Sequence, residues 1–487
     1  MVVSVMLTLV VPILGLMQQA LHTSVANISW VATATLLSAA VFTPLFGRLG
    51  DQYGKKPTMV VVMGVMVAGC VLAATTHSLS WLIVARVLQG AATAIFPLAL
   101  SVLREEVQPE RLPTAMALIS GTLAFGSGVA LVLTGLLTHG PGTDYHRVFW
   151  LATALAVLAL AAVVVLVPSG PARTGGRVDV LGAATLAAAL VLLLLPISQG
   201  QAWGWTGPRT VACFVGAAAM ATVWVLVERR VREPLVDLRM FVRRPVLFTN
   251  LAGLFVGFGM FAHFIGVSYL AQTPATLTGY GFGASVLRTS VQYLLPSAIV
   301  ALFAAQLGGS LVRRFGARST LALSAVAGGG GFACLTLAHD TPFSVIGAGM
   351  AVGAGVSLGY AAMPALIVAN VAPHQSGIAN GINSISRTAG SAIGSAVVMS
   401  LLASNPIAHL SPGTPALPSE RQFTISFAIA GVAFGLVAII CLLGLRTSPS
   451  RPASEIPADA SDAGPAEVTG VPEATPDLHP AVRGRSA

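Results

Sequence analysis

The chain has 487 residues, of which 55% are hydrophobic and only 9% charged, and its mean hydropathy is +0.83. Soluble domains carry about 25% charged residues, so these proportions exclude a soluble enzyme, a nucleic-acid-binding domain and a disordered chain. They point to an all-α polytopic membrane protein, and the net charge of +9 must be read against that background.

A helix that crosses a bilayer needs about 20 mostly apolar residues. Fourteen such runs are predicted, at 2–18, 28–47, 58–77, 80–103, 114–138, 147–168, 180–198, 210–228, 246–271, 287–307, 320–338, 343–370, 377–403 and 423–445. The runs are continuous rather than alternating, which argues against a β-barrel. The first run lacks the basic segment of a signal peptide and is interrupted by Pro12, so a start upstream of Met1, or a short tilted helix, is expected.

After run two comes Gly47-Arg48-Leu49-Gly50-Asp51-Gln52-Tyr53-Gly54-Lys55-Lys56, read as a tight loop. Gly47 and Gly54 permit close turns. Asp51 is an anion among cations, suited to meet a helix N-terminus or an arginine. Run four holds Arg86 and Gln89 on one face. Run nine holds His263, the one histidine well inside a predicted span, and histidine titrates near neutral pH. Tyr360 lies in the glycine-rich run twelve, and Asn383 and Arg387 stand four residues apart in run thirteen. A charged residue at mid-membrane is costly, so Arg86 and Arg387 are expected to face a wet cavity or a polar partner.

After run ten, Gly309-Ser310-Leu311-Val312-Arg313-Arg314-Phe315-Gly316-Ala317-Arg318 aligns without gaps on Gly47–Lys56. Six helices do not need the sequence between the two copies, whereas eight do. The expected organisation is therefore a six-helix half at 1–168, an inserted helix pair with central loops at 169–245, and a second six-helix half at 246–445. The tail, 446–487, holds seven prolines and few bulky apolar residues and reads as a disordered extension.

Lys and Arg are counted sixteen against four between the two sets of short loops, which places both termini in the cytoplasm. The basic charge therefore reports topology rather than a nucleic-acid partner. Cys70, Cys213, Cys334 and Cys441 are far apart in apolar runs and carry no metal or redox spacing. Gly328–Gly331 is not followed by Lys and Ser or Thr, so nucleotide binding is unsupported. Neither a nucleophile–base set nor a cofactor motif is present. Almost all basic residues are arginine, as in high-GC bacterial genomes.

Segment Gly47–Lys56, with its acidic Asp51, resembles the signature loop of the major facilitator superfamily. Arg86-Val87-Leu88-Gln89-Gly90 is similar to the family's R-x-x-Q-G motif. Gly377 to Gly394, with Asn380, Asn383, Arg387 and Gly390, resembles helix thirteen of the fourteen-helix drug:proton antiporter branch. Gln199–Trp205 and Glu233–Leu238 are similar to that branch's central segments. The resemblance covers 1–445 and implies export of small amphipathic molecules from the bacterial inner membrane, exchanged for protons by alternating access of two halves. The expected partners are a small-molecule substrate, protons and the lipid bilayer, with no nucleic acid and no cofactor; a monomer is favoured but the oligomeric state is left open. The resemblance also implies that Asp51, with Gly47, Gly54, Lys55 and Lys56, latches one access state against the other half near Ser376–Gly377. Arg86, Gln89, His263, Tyr360, Asn383 and Arg387 become the cavity and coupling candidates. The sequence departs from the branch twice: run one has no acidic residue, and Leu131 stands where the run-five motif has proline.

Overall fold

A computed structural model describes residues 2–106, 108, 126–140, 144–168, 179–231, 243–371, 376–405, 407 and 417–444. At 44, 48, 51, 100, 104, 105, 180, 198, 201, 202 and 376–378 it describes the backbone only. The central segment Glu233–Leu238 and the tail lie outside the described residues.

The described chain is a helical bundle: α1 Val2–Ala20, α2 Val25–Tyr53, α3 Lys55–Thr75, α4 Leu79–Leu103, α5 Gly126–Leu137, α6 His146–Leu166, α7 Val180–Trp203, α8 Pro208–Arg230, α9 Arg244–Gln272, α10 Val286–Phe315, α11 Ala317–Leu337, α12 Pro342–Val368, α13 Ser376–Ser404 and α14 Glu420–Gly444. Among the described residues twelve helices are long and apolar enough to cross a membrane, and Gly126–Leu137 and Leu181–Ile197 are shorter apolar helices.

Local chemistry sets the ends. Ser24 caps α2 by accepting from the Asn27 N–H at 3.2 Å, and Asp179 caps α7 by accepting from the Gly182 N–H at 2.7 Å. Pro342 follows the Thr341 cap of α12, where its missing N–H costs nothing. Arg318 donates to the carbonyls of Cys441 and Leu442, and Arg244 to that of Leu443, so two guanidinium groups close the C-terminal end of α14. At the other end of the bundle Asp144 accepts from the His146 backbone N–H at 2.9 Å and contacts its ring. Burial pushes the Asp144 carboxyl up, but these bonds and the charges of His146 and Arg147 hold it below the usual carboxylate range.

The segments read as loops after runs two and ten are helical. α2 continues through Gly47 and Asp51 to Tyr53, and α10 continues through Gly309 to Phe315. The i→i−4 ladder persists past the apolar run because nothing in the sequence breaks it before the glycine. The turn is a single residue in each case: Gly54 at φ 98°, ψ 145° and Gly316 at φ 85°, ψ 156°. These conformations are nearly the same and exclude a Cβ, which is the physical content of the repeated glycine.

Pro12 breaks α1 into two pieces joined by the 3₁₀ turn Val11–Ile13. Side chains from neighbouring helices take up carbonyls along this broken helix. Thr134 on α5 donates to Leu9, Ser268 on α9 to Val11, and Gln272 on α9 to Pro12. In lipid this is how a proline break is tolerated. The two bonds from α9 tie α1 to α9, and the Thr33–Ser395 hydroxyl pair, 3.1 Å apart, joins α2 to α13.

α7 packs against both α2 and α13. Trp224 of α8 lies against Ile367, Ala379 and Ile382, and against Val41, Ala183 and Leu186. α8 buries little of its own surface: Val211, Val215, Val223 and Leu226 point outward, as lipid contact requires.

α9 and α13 pack closely in the second half, and the run-thirteen glycines explain it. A Cβ on Gly390 would stand 1.9 Å from the Leu254 carbonyl oxygen, and one on Gly257 would stand 2.1 Å from the Arg387 carbonyl oxygen. Small residues here let backbones touch. Gly390→Ala therefore forces the helices apart and should cost about 1–3 kcal/mol or more. Gly381→Ala, on the same helix with nothing within 4 Å of the new methyl group, should leave the thermal midpoint in detergent unchanged. Equal midpoints for the two variants would contradict this packing.

Candidate substrate and coupling sites

The candidate residues fall into three places. Arg86 and Gln89, each 1% exposed, form a clasp inside the first half. The guanidinium Nε donates to the Val31 carbonyl at 2.8 Å, and Nη1 donates to the Met6 carbonyl at 3.2 Å and to Gln89 Oε1 at 2.5 Å. A single charged side chain thus joins α1, α2 and α4. Nearby, the Cys70 thiol contacts the Met6 sulfur at 3.7 Å. Arg86 meets polar partners, one of the two surroundings expected for a buried arginine, rather than an open cavity. The reason is the broken helix α1 beside it, whose carbonyls take donors from neighbouring helices.

His263 is 2% exposed on α9. Its Nε2 faces Ser297 Oγ of α10 at 3.4 Å, and its Cε1 would lie 2.9 Å from a Cβ on Gly349 of α12. Nδ1 has no hydrogen-bond partner. The histidine is wedged among three helices with a hydroxyl as its polar neighbour.

The third place brings together Tyr360, Asn383 and Arg387. The Arg387 guanidinium sits 4.6 Å from the centre of the Tyr360 ring, a cation–π arrangement between α13 and α12. The phenol reaches the Met260 sulfur of α9 at 3.6 Å. One turn before Arg387, Asn383 donates to the Thr249 carbonyl and to Asn250 Oδ1, both at 3.2 Å. Arg387 and Tyr360 are half-buried, whereas Asn383 is 1% exposed. The cluster presents a cation, an aromatic face and amide groups on helices whose spans hold no Asp or Glu. Such a surface suits a neutral or anionic aromatic group and repels a cation.

Gly47, Lys55 and Lys56 lie at the basic end of α2 and α3 around the Gly54 turn. The side chains of Asp51 and Ser376 lie outside the described residues, so the latch contact does too. Sequence reasoning missed Asn250, Thr249 and the α1 carbonyls. Backbone acceptors leave no mark in a sequence, but Pro12 does mark where they are freed.

The Major Facilitator Superfamily family model matches residues 1–305 and 282–476. The chain is 29% identical over 401 residues to the tetracenomycin C resistance and export protein of Streptomyces glaucescens, covering 80% of this chain and 71% of that one. It is 28% identical over 313 residues to the uridine/deoxyuridine transporter of Lactococcus lactis, covering 63% of this chain and 64% of the relative. The crystal structure of the nucleoside transporter NupG superposes with a TM-score of 0.58 at 14% identity, over 92% of this chain and 98% of that chain, and shows the shared fold. A helical bundle with a repeated glycine turn, buried Arg86 and half-buried Arg387 and this family match has one conclusion: the chain belongs to the Major Facilitator Superfamily and is a multi-pass membrane transporter.

Proposed function

We propose that the protein exports small amphipathic molecules, neutral or anionic rather than permanently cationic, in exchange for protons. It does so through fourteen membrane spans with both termini in the cytoplasm of a bacterial inner membrane. The Arg387–Tyr360 pair carries the substrate reading, because a half-buried guanidinium on an aromatic face, on spans without a carboxylate, attracts electron-rich or negatively charged groups. The outward direction is supported by relatives such as the Streptomyces export protein. The span count is supported by the two shorter apolar helices in addition to the twelve long ones. A metabolite transporter of the same fold is the second reading, favoured by the Lactococcus uridine/deoxyuridine relative. A receptor or scaffold role has no need of the half-buried Arg387–Tyr360 pair.

The test is efflux of a panel of anionic and neutral dyes and antibiotics from cells that express the protein, with and without an uncoupler. Uncoupler-sensitive efflux supports export by proton exchange. Accumulation of nucleosides without dye efflux would favour the second reading.

Asp51 is proposed as the conformational latch at the Gly54 turn. Asp51→Asn should cut transport at least about tenfold, equivalent to about 1.4 kcal/mol, while expression and thermal midpoint stay near wild type. Full-rate transport by that variant would reduce Asp51 to a surface residue.

A further inference from the structure

A second cluster of chemistry-bearing residues lies at the end of the bundle opposite the basic turns. His339 and Asp340 occupy the connection between α11 and α12, and Glu420 opens α14. Ligand atoms of the three lie within 4.8 Å of one another. His339 is 8% exposed, and its ring is held on both sides. Nδ1 lies 2.9 Å from the Leu335 carbonyl, and the ring meets Phe427 edge-on at 6.3 Å. A carbonyl only accepts, so Nδ1 carries the hydrogen and the Nε2 lone pair points away from it.

That Nε2 faces Glu420 Oε1 at 3.4 Å and makes no hydrogen bond. The Nε2 lone pair of a neutral ring aimed at a carboxylate is repulsive unless a proton or a metal ion stands between them. The spacing suits a metal ion: two ligands on a tetrahedral centre with bonds of about 2.1 Å stand about 3.4 Å apart. The fixed Nδ1–H···O=C bond is the outer-shell support that metal-bound histidines commonly have. Glu420 is also held in place, because the Tyr280 hydroxyl donates to the Pro418 carbonyl and its ring packs on Phe423, one on each side of Glu420 in sequence. Asp340 is exposed, with its carboxylate within 4.8 Å of the other two ligand atoms.

We propose that His339, Glu420 and Asp340 bind a divalent transition-metal ion of the zinc type, clipping the α11–α12 connection to the start of α14. One imidazole nitrogen with two carboxylates favours zinc, cobalt, nickel or manganese over magnesium or calcium, which prefer oxygen alone.

The experiment uses the full chain, purified without a polyhistidine tag and washed with a chelator. Zn²⁺, Mn²⁺ and Mg²⁺ are titrated separately, with calorimetry and thermal unfolding as readouts. The expected result is one equivalent of Zn²⁺ that raises the midpoint by a few degrees, with no response to Mg²⁺. His339→Gln should abolish that equivalent. Glu420→Gln and the exposed Asp340→Asn should weaken it at least about tenfold, the loss typical even of an outer-shell partner. If His339→Gln fails to fold, the two carboxylate variants still decide the matter. Absence of the equivalent in the wild type would leave an imidazolium–carboxylate ion pair only and overturn the proposal. The same equivalent retained in all variants would assign the metal to other histidines and overturn it equally.

Discussion

Arg86→Ala is expected to give the largest loss of folded protein of any single substitution in the first half. The guanidinium supplies donors to the Val31 and Met6 carbonyls and to Gln89 Oε1 in a fully buried space. Each acceptor left without a donor costs about 1–3 kcal/mol. Relief from burying the charge offsets part of this, so a net loss of about 3 kcal/mol is the expectation. Arg86→Lys should recover only a fraction, because an ammonium cannot present the rigid fork that reaches three acceptors on three helices. The check is the monodisperse yield and thermal midpoint in detergent for the wild type, Arg86→Lys and Arg86→Ala. A wild-type midpoint in Arg86→Ala would mean that other groups satisfy the α1 carbonyls.

Arg387→Gln should act on function instead. The guanidinium of Arg387 stacks on Tyr360, but the packing of α13 on α9 runs through its backbone carbonyl beside Gly257 and through Ser391, whose hydroxyl donates to the Gly257 carbonyl at 3.2 Å. The fold should therefore tolerate glutamine. A charged hydrogen bond to a substrate is worth about 1.5–3 kcal/mol, so transport of an anionic substrate should fall about 10–100-fold, and that of its neutral analogue far less. Tyr360→Phe keeps the aromatic face and loses the phenol's contacts to Met260 and Ser391, and should be affected much less than Arg387→Gln. Equal losses for anionic and neutral substrates in Arg387→Gln would make the arginine a structural element.

Much of the architecture is readable in the sequence because lipid imposes a simple rule: long apolar runs become helices. The runs at 180–198 and 210–228 correspond to Val180–Trp203 and Pro208–Arg230, and that at 246–271 to Arg244–Gln272. Ends are less legible. α10 passes its apolar run to include Arg313 and Arg314, since a helix continues into the polar interface until a residue such as Gly316 stops it. The repeated glycine is legible as a pattern, and its positive φ is the cause. The site is legible in pieces. Arg387 and Asn383 stand out as polar residues one turn apart, but Tyr360 joins them only through the packing of α12 on α13. Arg86 resembles a cavity residue because its partners, the Met6 and Val31 carbonyls, carry no side-chain signature. The His339–Glu420 approach depends on how α14 returns to the α11–α12 connection, which no local pattern encodes.

The transport reading rests on the Arg387 cation and the Tyr360 ring, on helices α9, α12 and α13 whose sequences hold no Asp or Glu. A fixed cation there meets repulsion of several kcal/mol at about 5 Å even with an effective dielectric near 20. The most direct measurement is transport in proteoliposomes under an imposed pH gradient, using matched neutral, anionic and quaternary-ammonium forms of one aromatic scaffold. Gradient-driven movement of the neutral and anionic forms, with exclusion of the quaternary cation, is the predicted result. Robust proton-driven transport of the quaternary cation would contradict it.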